Sequence, residues 1–134
     1  MDKRIRLALL TATITFTSTL YAHGEDKLGP HKGYIRMPGA YHVEVIPQKN
    51  SLDIMLLDAN FKNPTVLNSH IKAKIASGDH HFRLKCESMP NYFSCPVNHK
   101  MLAHHGTLTI ESKRRLSEGA PVSYPLPLKL TKQA

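Results

Sequence analysis

Apolar and polar residues alternate with a period of two in short runs along most of this chain, the pattern of half-buried β-strands. In residues 41–46, Tyr41, Val43 and Val45 share one face, and His42, Glu44 and Ile46 share the other. Leu52, Ile54 and Leu56 give a second strand over 52–58. Val66, Ile71, Ala73 and Ile75 give a third over 66–75, whose phase slips near Asn68, Ser69 and His70 and so predicts a bulge or kink. Residues 81–86 and 92–97 read as the two arms of a hairpin, and Leu108 and Ile110 mark a strand over 107–112. In 121–130, Val122, Tyr124, Leu126, Leu128 and Leu130 fall on one face with Pro125 and Pro127 on the other. Prolines remove ladder donors, so this last strand is expected at an edge. Turn residues separate the runs, among them Gly29-Pro30, Pro38-Gly39 and Gly78-Asp79. With residues 98–106 read as a polar loop and no amphipathic helix between strands, the pattern predicts an all-β fold, a small antiparallel sandwich of about seven strands.

The first 22 residues break the pattern. Lys3, Arg4 and Arg6 precede a mostly apolar stretch interrupted by threonines and closed by Ala22. This reads as a secretory signal peptide cleaved near Ala22, too short and polar for a stable membrane span. An uncleaved anchor is the alternative, and Leu20 is larger than usual three residues before the cut. The expected organisation is a signal peptide over 1–22, an irregular His/Gly/Pro-rich lead-in over 23–40, a sandwich domain over 41–130 and a tail over 131–134. The expected location is the periplasm.

Charge and cysteines add two constraints. The chain of 134 residues has a formal net charge of +8, and removing a +2 leader leaves about +6. Export argues against nucleic acid as the partner of this basic chain, and the cluster Lys113-Arg114-Arg115 reads as a solvated turn. The two cysteines, Cys86 and Cys95, favour a disulfide across a hairpin turned by residues 89–92, stabilising by ~2–3 kcal/mol. The alternative is a metal site made of both thiolates and His99.

The candidate chemistry is metal binding. Nine histidines are present, three of them at His23, His31 and His42 in or beside the lead-in. After cleavage His23 would carry both a free amine and an imidazole, a chelate suited to Cu(II). Met37 adds a thioether suited to Cu(I). Glu25 and Asp26 could neutralise charge, and Glu44 shares a face with His42, where a carboxylate could orient the imidazole. His99, Met101, His104 and His105 form a secondary candidate group on a predicted polar loop, for which plain solvent exposure is the alternative. His80-His81 at a turn and His70 alone in a strand read as non-ligands. Imidazoles bind metal when neutral, so affinity should fall below about pH 6. No nucleophile motif, H-E-x-x-H or paired acid is present, and the chain has no Trp, so an enzyme is not expected.

The run G-P-H-K-G-Y-I at residues 29–35, Y-H-V-E-V-I at 41–46, L-D-I-M-L-L-D at 52–58 and the closing V-S-Y-P-L-P-L-K-L resemble a small exported β domain. That domain occurs alone or fused to periplasmic adaptor subunits of heavy-metal efflux systems. The resemblance implies an immunoglobulin-like sandwich that binds or handles copper, zinc or a similar ion, with a metal-efflux or metal-delivery protein as partner. It picks out Gly29, Pro30, His31, Gly33, His42, Glu44 and Asp58. Lys32 stands where that pattern has glycine, which changes the turn and sets a positive charge beside His31. A mature His23 terminus is also similar to exported copper proteins with a histidine brace. Two rival readings remain: a metal-free interaction module, and a copper-dependent oxidative enzyme.

Overall fold

The computed structural model describes residues 28–128. The leader, His23, Glu25, Asp26, Leu130 and the tail lie outside the described residues. The alternating runs build two antiparallel sheets. One holds β1 (Tyr34–Arg36), β2 (His42–Pro47), β3 (Ser51–Leu57), β6 (Glu87–Ser88) and β7 (Phe93–Pro96), in the order β1-β2-β3-β7-β6. The other holds β4 (His70–Ser77), β5 (His80–Leu84), β8 (Gly106–Arg114) and β10 (Val122–Leu126), in the order β10-β8-β4-β5, with β9 (Ser117–Glu118) against β8. The orders β2-β3-β7-β6 and β10-β8-β4 are those of an immunoglobulin-type sandwich. A short helix, α1 (His99–Ala103), joins β7 to β8.

The core is what the alternation predicts. Val43, Val45, Leu52, Ile54, Leu56, Phe93 and Cys95 from the first sheet meet Ala73, Ile75, Leu108, Ile110, Tyr124 and Leu126 from the second. Each large apolar side chain fully buried this way is worth roughly 1.5–3 kcal/mol. Two phenols stitch the sheets: Tyr124 Oη donates to the Val43 carbonyl at 3.1 Å, and Tyr41 Oη lies 2.7 Å from Ser112 Oγ. Burial pushes both phenols above their ordinary titration range, so both stay protonated. At the open side, Arg36 donates to the Ser123 carbonyl and stacks over the Tyr124 ring, clasping β1 to β10.

All seven predicted strands have counterparts, and three short ones were not foreseen: β1, β6 and β9. β1 lies inside the stretch read as irregular. The third strand starts only at His70, because Asn68 takes a left-handed φ of 50° and Ser69 N–H closes a turn on the Val66 carbonyl. That turn is the phase slip seen in the sequence. The predicted pairing of 81–86 with 92–97 is corrected: β5 pairs with β4 in the second sheet, and the chain then crosses to the first sheet, where β6 pairs with β7. The turn at 89–92 is as predicted, with Met89 N–H bonded to the Tyr92 carbonyl. Cys86 and Cys95, one step beyond the Glu87–Ser94 pair, are joined in a disulfide. Thiolate ligation together with His99 is thereby overturned. The polar loop 98–106 contains α1, started by the Asn98 side chain accepting from Lys100 N–H and held by buried Leu102. β10 is an edge strand, as its prolines require. Among the described residues no helix is long and apolar enough to cross a membrane.

The basic cluster is only partly a solvated turn. Arg115 and Leu116 make the turn, but Arg114 donates to the carbonyls of Asn63 and Leu56, and Lys113 pairs with Glu118. Arg114 thereby ties the second sheet to the loop that follows β3.

Candidate metal site

Two residues on the outer face of the first sheet are buried although that face looks away from the core. Glu44 is fully buried and His42 is 7% exposed. Two loops cover them.

The first loop is Gly29-Pro30-His31-Lys32-Gly33. Lys32 N–H donates to the Gly29 carbonyl at 2.9 Å, and Gly29 N–H to the Gly33 carbonyl at 2.8 Å, with Leu28 and Tyr34 bridged behind. This is a three-residue hairpin loop, a turn with Pro at its second position followed by a left-handed residue. The loop tip folds over Glu44, whose carboxylate accepts from His31 N–H at 2.8 Å, Gly33 N–H at 3.0 Å and His31 Nδ1 at 2.8 Å. The glycines permit the approach: a Cβ at Gly29 would strike the Glu44 carboxylate, and one at Gly33 would lie 2.6 Å from the Val45 carbonyl. Lys32 occupies the left-handed position with φ 62°. A Cβ there costs roughly 1–2 kcal/mol relative to glycine. Lys32→Gly should therefore raise stability by about 1 kcal/mol, read as a higher urea midpoint at unchanged m-value. A lower midpoint would contradict this geometry of the loop.

The second loop follows β3. The Asp58 side chain accepts from Asn60 N–H, Lys62 N–H and the Asn63 amide, folding 58–63 back on itself. Its carbonyl accepts from Phe61 N–H and from His42 Nδ1 at 3.0 Å. Phe61, at φ 61°, stacks its ring on His42 with centroids 3.9 Å apart. A bulky residue in that backbone region persists only where its surroundings enforce it. The Lys62 N–H, with Asn63, Asn60 and Arg114, holds the Asp58 carboxyl below the usual carboxylate range against a smaller opposing effect of burial. Because the folded value is depressed, this stabilisation is complete above the unfolded carboxylate value and is lost as pH falls through the folded one. Acidification below about pH 4 should free the Asn60 and Lys62 amides and lift Phe61 from His42, detectable as loss of their amide protection. Retained protection at pH 2 would oppose this role for Asp58.

Both imidazoles share one arrangement. A carboxylate and a carbonyl only accept, so His31 Nδ1 and His42 Nδ1 carry the protons. In the neutral rings Nε2 then holds the lone pair, and neither Nε2 has a partner among the described residues. An imidazole oriented through Nδ1 by a carboxylate or carbonyl is the usual state of a metal-ligating histidine. In comparison with known proteins, no family model, curated protein or solved structure matches this chain.

The predicted residues are brought together unequally. His31 and His42 both lie beside the Glu44 strand. Met37 follows Arg36, the last residue of β1 and the partner of Val43, and is 61% exposed. Among the described residues, no three His, Cys, Asp or Glu side chains converge on one point. The imidazoles of His31 and His42 are the described nitrogen donors here, and His23 lies outside the described residues. The carboxylate expected to orient His42 orients His31 instead, because the hairpin loop, unlike the β2 neighbour two residues away, reaches the Glu44 oxygens. Phe61 was missed altogether; the Asp58-Ala-Asn turn signal marks its loop, but no sequence signal marks its stacking.

The secondary group is split by α1. Met101 and His104 face one cleft, whereas His99 faces another beside Pro47 and Leu128. His105 lines neither cleft; its carbonyl accepts from Ser77 Oγ. Of the secondary candidates His99, Met101, His104 and His105, only Met101 and His104 share a cleft.

Proposed function

We propose that this is an exported protein that binds a transition metal, copper fitting its donors best, in metal delivery, sequestration or efflux in the periplasm. The ion would be held on the outer face of the first sheet by His31 and His42, with Met37 as the soft donor and His23 as the completing nitrogen. The observation that carries this reading is the shared orientation of the two imidazoles, each fixed through Nδ1 with Nε2 left for a ligand. Two imidazoles and a thioether suit copper, whose reduced form accepts sulfur and low coordination numbers. Zinc would ask for a fourth, harder donor.

The second reading, a metal-free interaction module, is favoured by one observation. Glu44 is fully satisfied by its own loop, so the His31 contact has a structural use without any metal. Competition titrations with Cu(I), Cu(II) and Zn(II) separate the two. The metal reading expects His31→Ala and His42→Ala each to weaken copper binding by about 10- to 100-fold. Absence of tight binding by the unaltered protein, or binding indifferent to both substitutions, would leave the interaction module.

A further inference from the structure

The sandwich holds a second gathering of soft-metal donors, at the end opposite His42. The β4–β5 hairpin turns there, with Ser77 paired to His80 and Ile75 to Phe82. Residues directly opposite in a ladder share a face, so His80 and Phe82 lie on the side of buried Ile75, which faces the core. α1 lies at the same end, since β8 begins at Gly106 opposite Leu126 and close to the end of β4. Between hairpin and helix opens a cleft of about 300 Å³ lined by Ile75, Ser77, His80, Phe82, Met101 and His104. Met101 is half-buried and packs against the core, while His80 and His104 are exposed at the rim. The loop carrying His104 is pinned to the hairpin by Ser77 Oγ donating to the His105 carbonyl at 2.8 Å.

We infer that His80, Met101 and His104 form a binding site for Cu(I) or a similarly soft monovalent ion. Two imidazoles and one thioether make a neutral three-donor set, which a soft monovalent cation accepts. No carboxylate lines the cleft, and its apolar lining is buried Ile75 with exposed Phe82, whose ring stacks with that of His80. Hard divalent ions, which need oxygen ligands and retain water, are disfavoured in such a cleft. The three donors come from a strand, a helix and the residue ending that helix. Met101 and His104 are three residues apart, and the fold brings His80, distant in the chain, to them across the cleft. The site shares no residue with the proposed one at His31 and His42, and the failure of either leaves the other standing.

The test uses the methyl resonance of Met101, assigned by Met101→Leu, a substitution of nearly conserved volume. Cu(I) is added under ascorbate without thiol reductants, and Ag(I) serves as an air-stable probe. Near one equivalent the Met101 methyl should shift, and in the His80→Ala/His104→Ala double variant the shift should be lost. Met101→Leu should weaken Cu(I) binding at this site by about 10- to 100-fold, while His105→Ala leaves it unchanged. A Met101 methyl unmoved by several equivalents of either ion, or a shift that survives in the double variant, would overturn the assignment. Running the series also in a His31→Ala/His42→Ala background keeps the two sites distinguishable.

Discussion

Glu44→Ala should cost about 2–4 kcal/mol, a fall in Tm of roughly 10 °C or more in a domain of this size. The carboxylate is fully buried and accepts three hydrogen bonds. Truncation leaves the buried Gly33 amide and the part-buried His31 amide without an acceptor, and the His31 imidazole N–H without its partner. Each buried donor deprived of its partner costs about 1–3 kcal/mol. The loss should be local in origin. Amide exchange should rise first in residues 29–35, with the β3–β7 and β4–β8 ladders following only on global unfolding. Thermal melts of the unaltered and variant proteins measure it, and a change below about 1 kcal/mol would mean that the hairpin loop does not depend on Glu44.

The isosteric change Glu44→Gln should separate ligand orientation from stability. Glutamine's oxygen can still accept from the two backbone amides, so the loop stays closed. Its amide nitrogen donates, however, and faces His31 Nδ1 with a hydrogen where the carboxylate offered a lone pair. The imidazole must then carry its proton on Nε2, which removes the lone pair proposed to meet the metal. Copper affinity should fall by about 10- to 100-fold while the fold remains intact. Competition with a chromophoric chelator reads the affinity. Undiminished affinity would show that His31 Nε2 is not a ligand, whatever its orientation.

How much of this was legible in the chain depends on what each element buries. Residues 41–46 and 52–56 alternate cleanly because one face meets the core, and their inward residues are those that the period of two selects. The pairing of β5 was not legible. His80, His81, Phe82 and Arg83 are all exposed, so no alternation fixes their face or partner. The neighbouring Cys86 pointed instead to the hairpin that only β6 forms. α1 is a five-residue helix, too short for a helical period to register against a polar background. At the candidate site the sequence placed Glu44 and His42 on one face, as they are. It could not show that a turn earlier in the chain delivers His31 to a carboxylate thirteen residues on. Nor could it show that Phe61 adopts a left-handed backbone to cover His42. Those contacts arise from loops closing in three dimensions, and the residues that permit them, Gly29 and Gly33, read in one dimension only as turn formers.

The central claim is that the Nε2 atoms of His31 and His42 receive a metal ion. The most direct measurement is the imidazole ¹H–¹⁵N correlation spectrum of the protein, before and after one equivalent of Cu(I), which is diamagnetic. Before addition, His31 and His42 should show protonated Nδ1 and unprotonated Nε2. After it, both Nε2 signals should move to positions of metal-bound nitrogen while Nδ1 keeps its proton. Unchanged Nε2 resonances at His31 and His42 under saturating Cu(I), or free rings protonated at Nε2, would contradict the account.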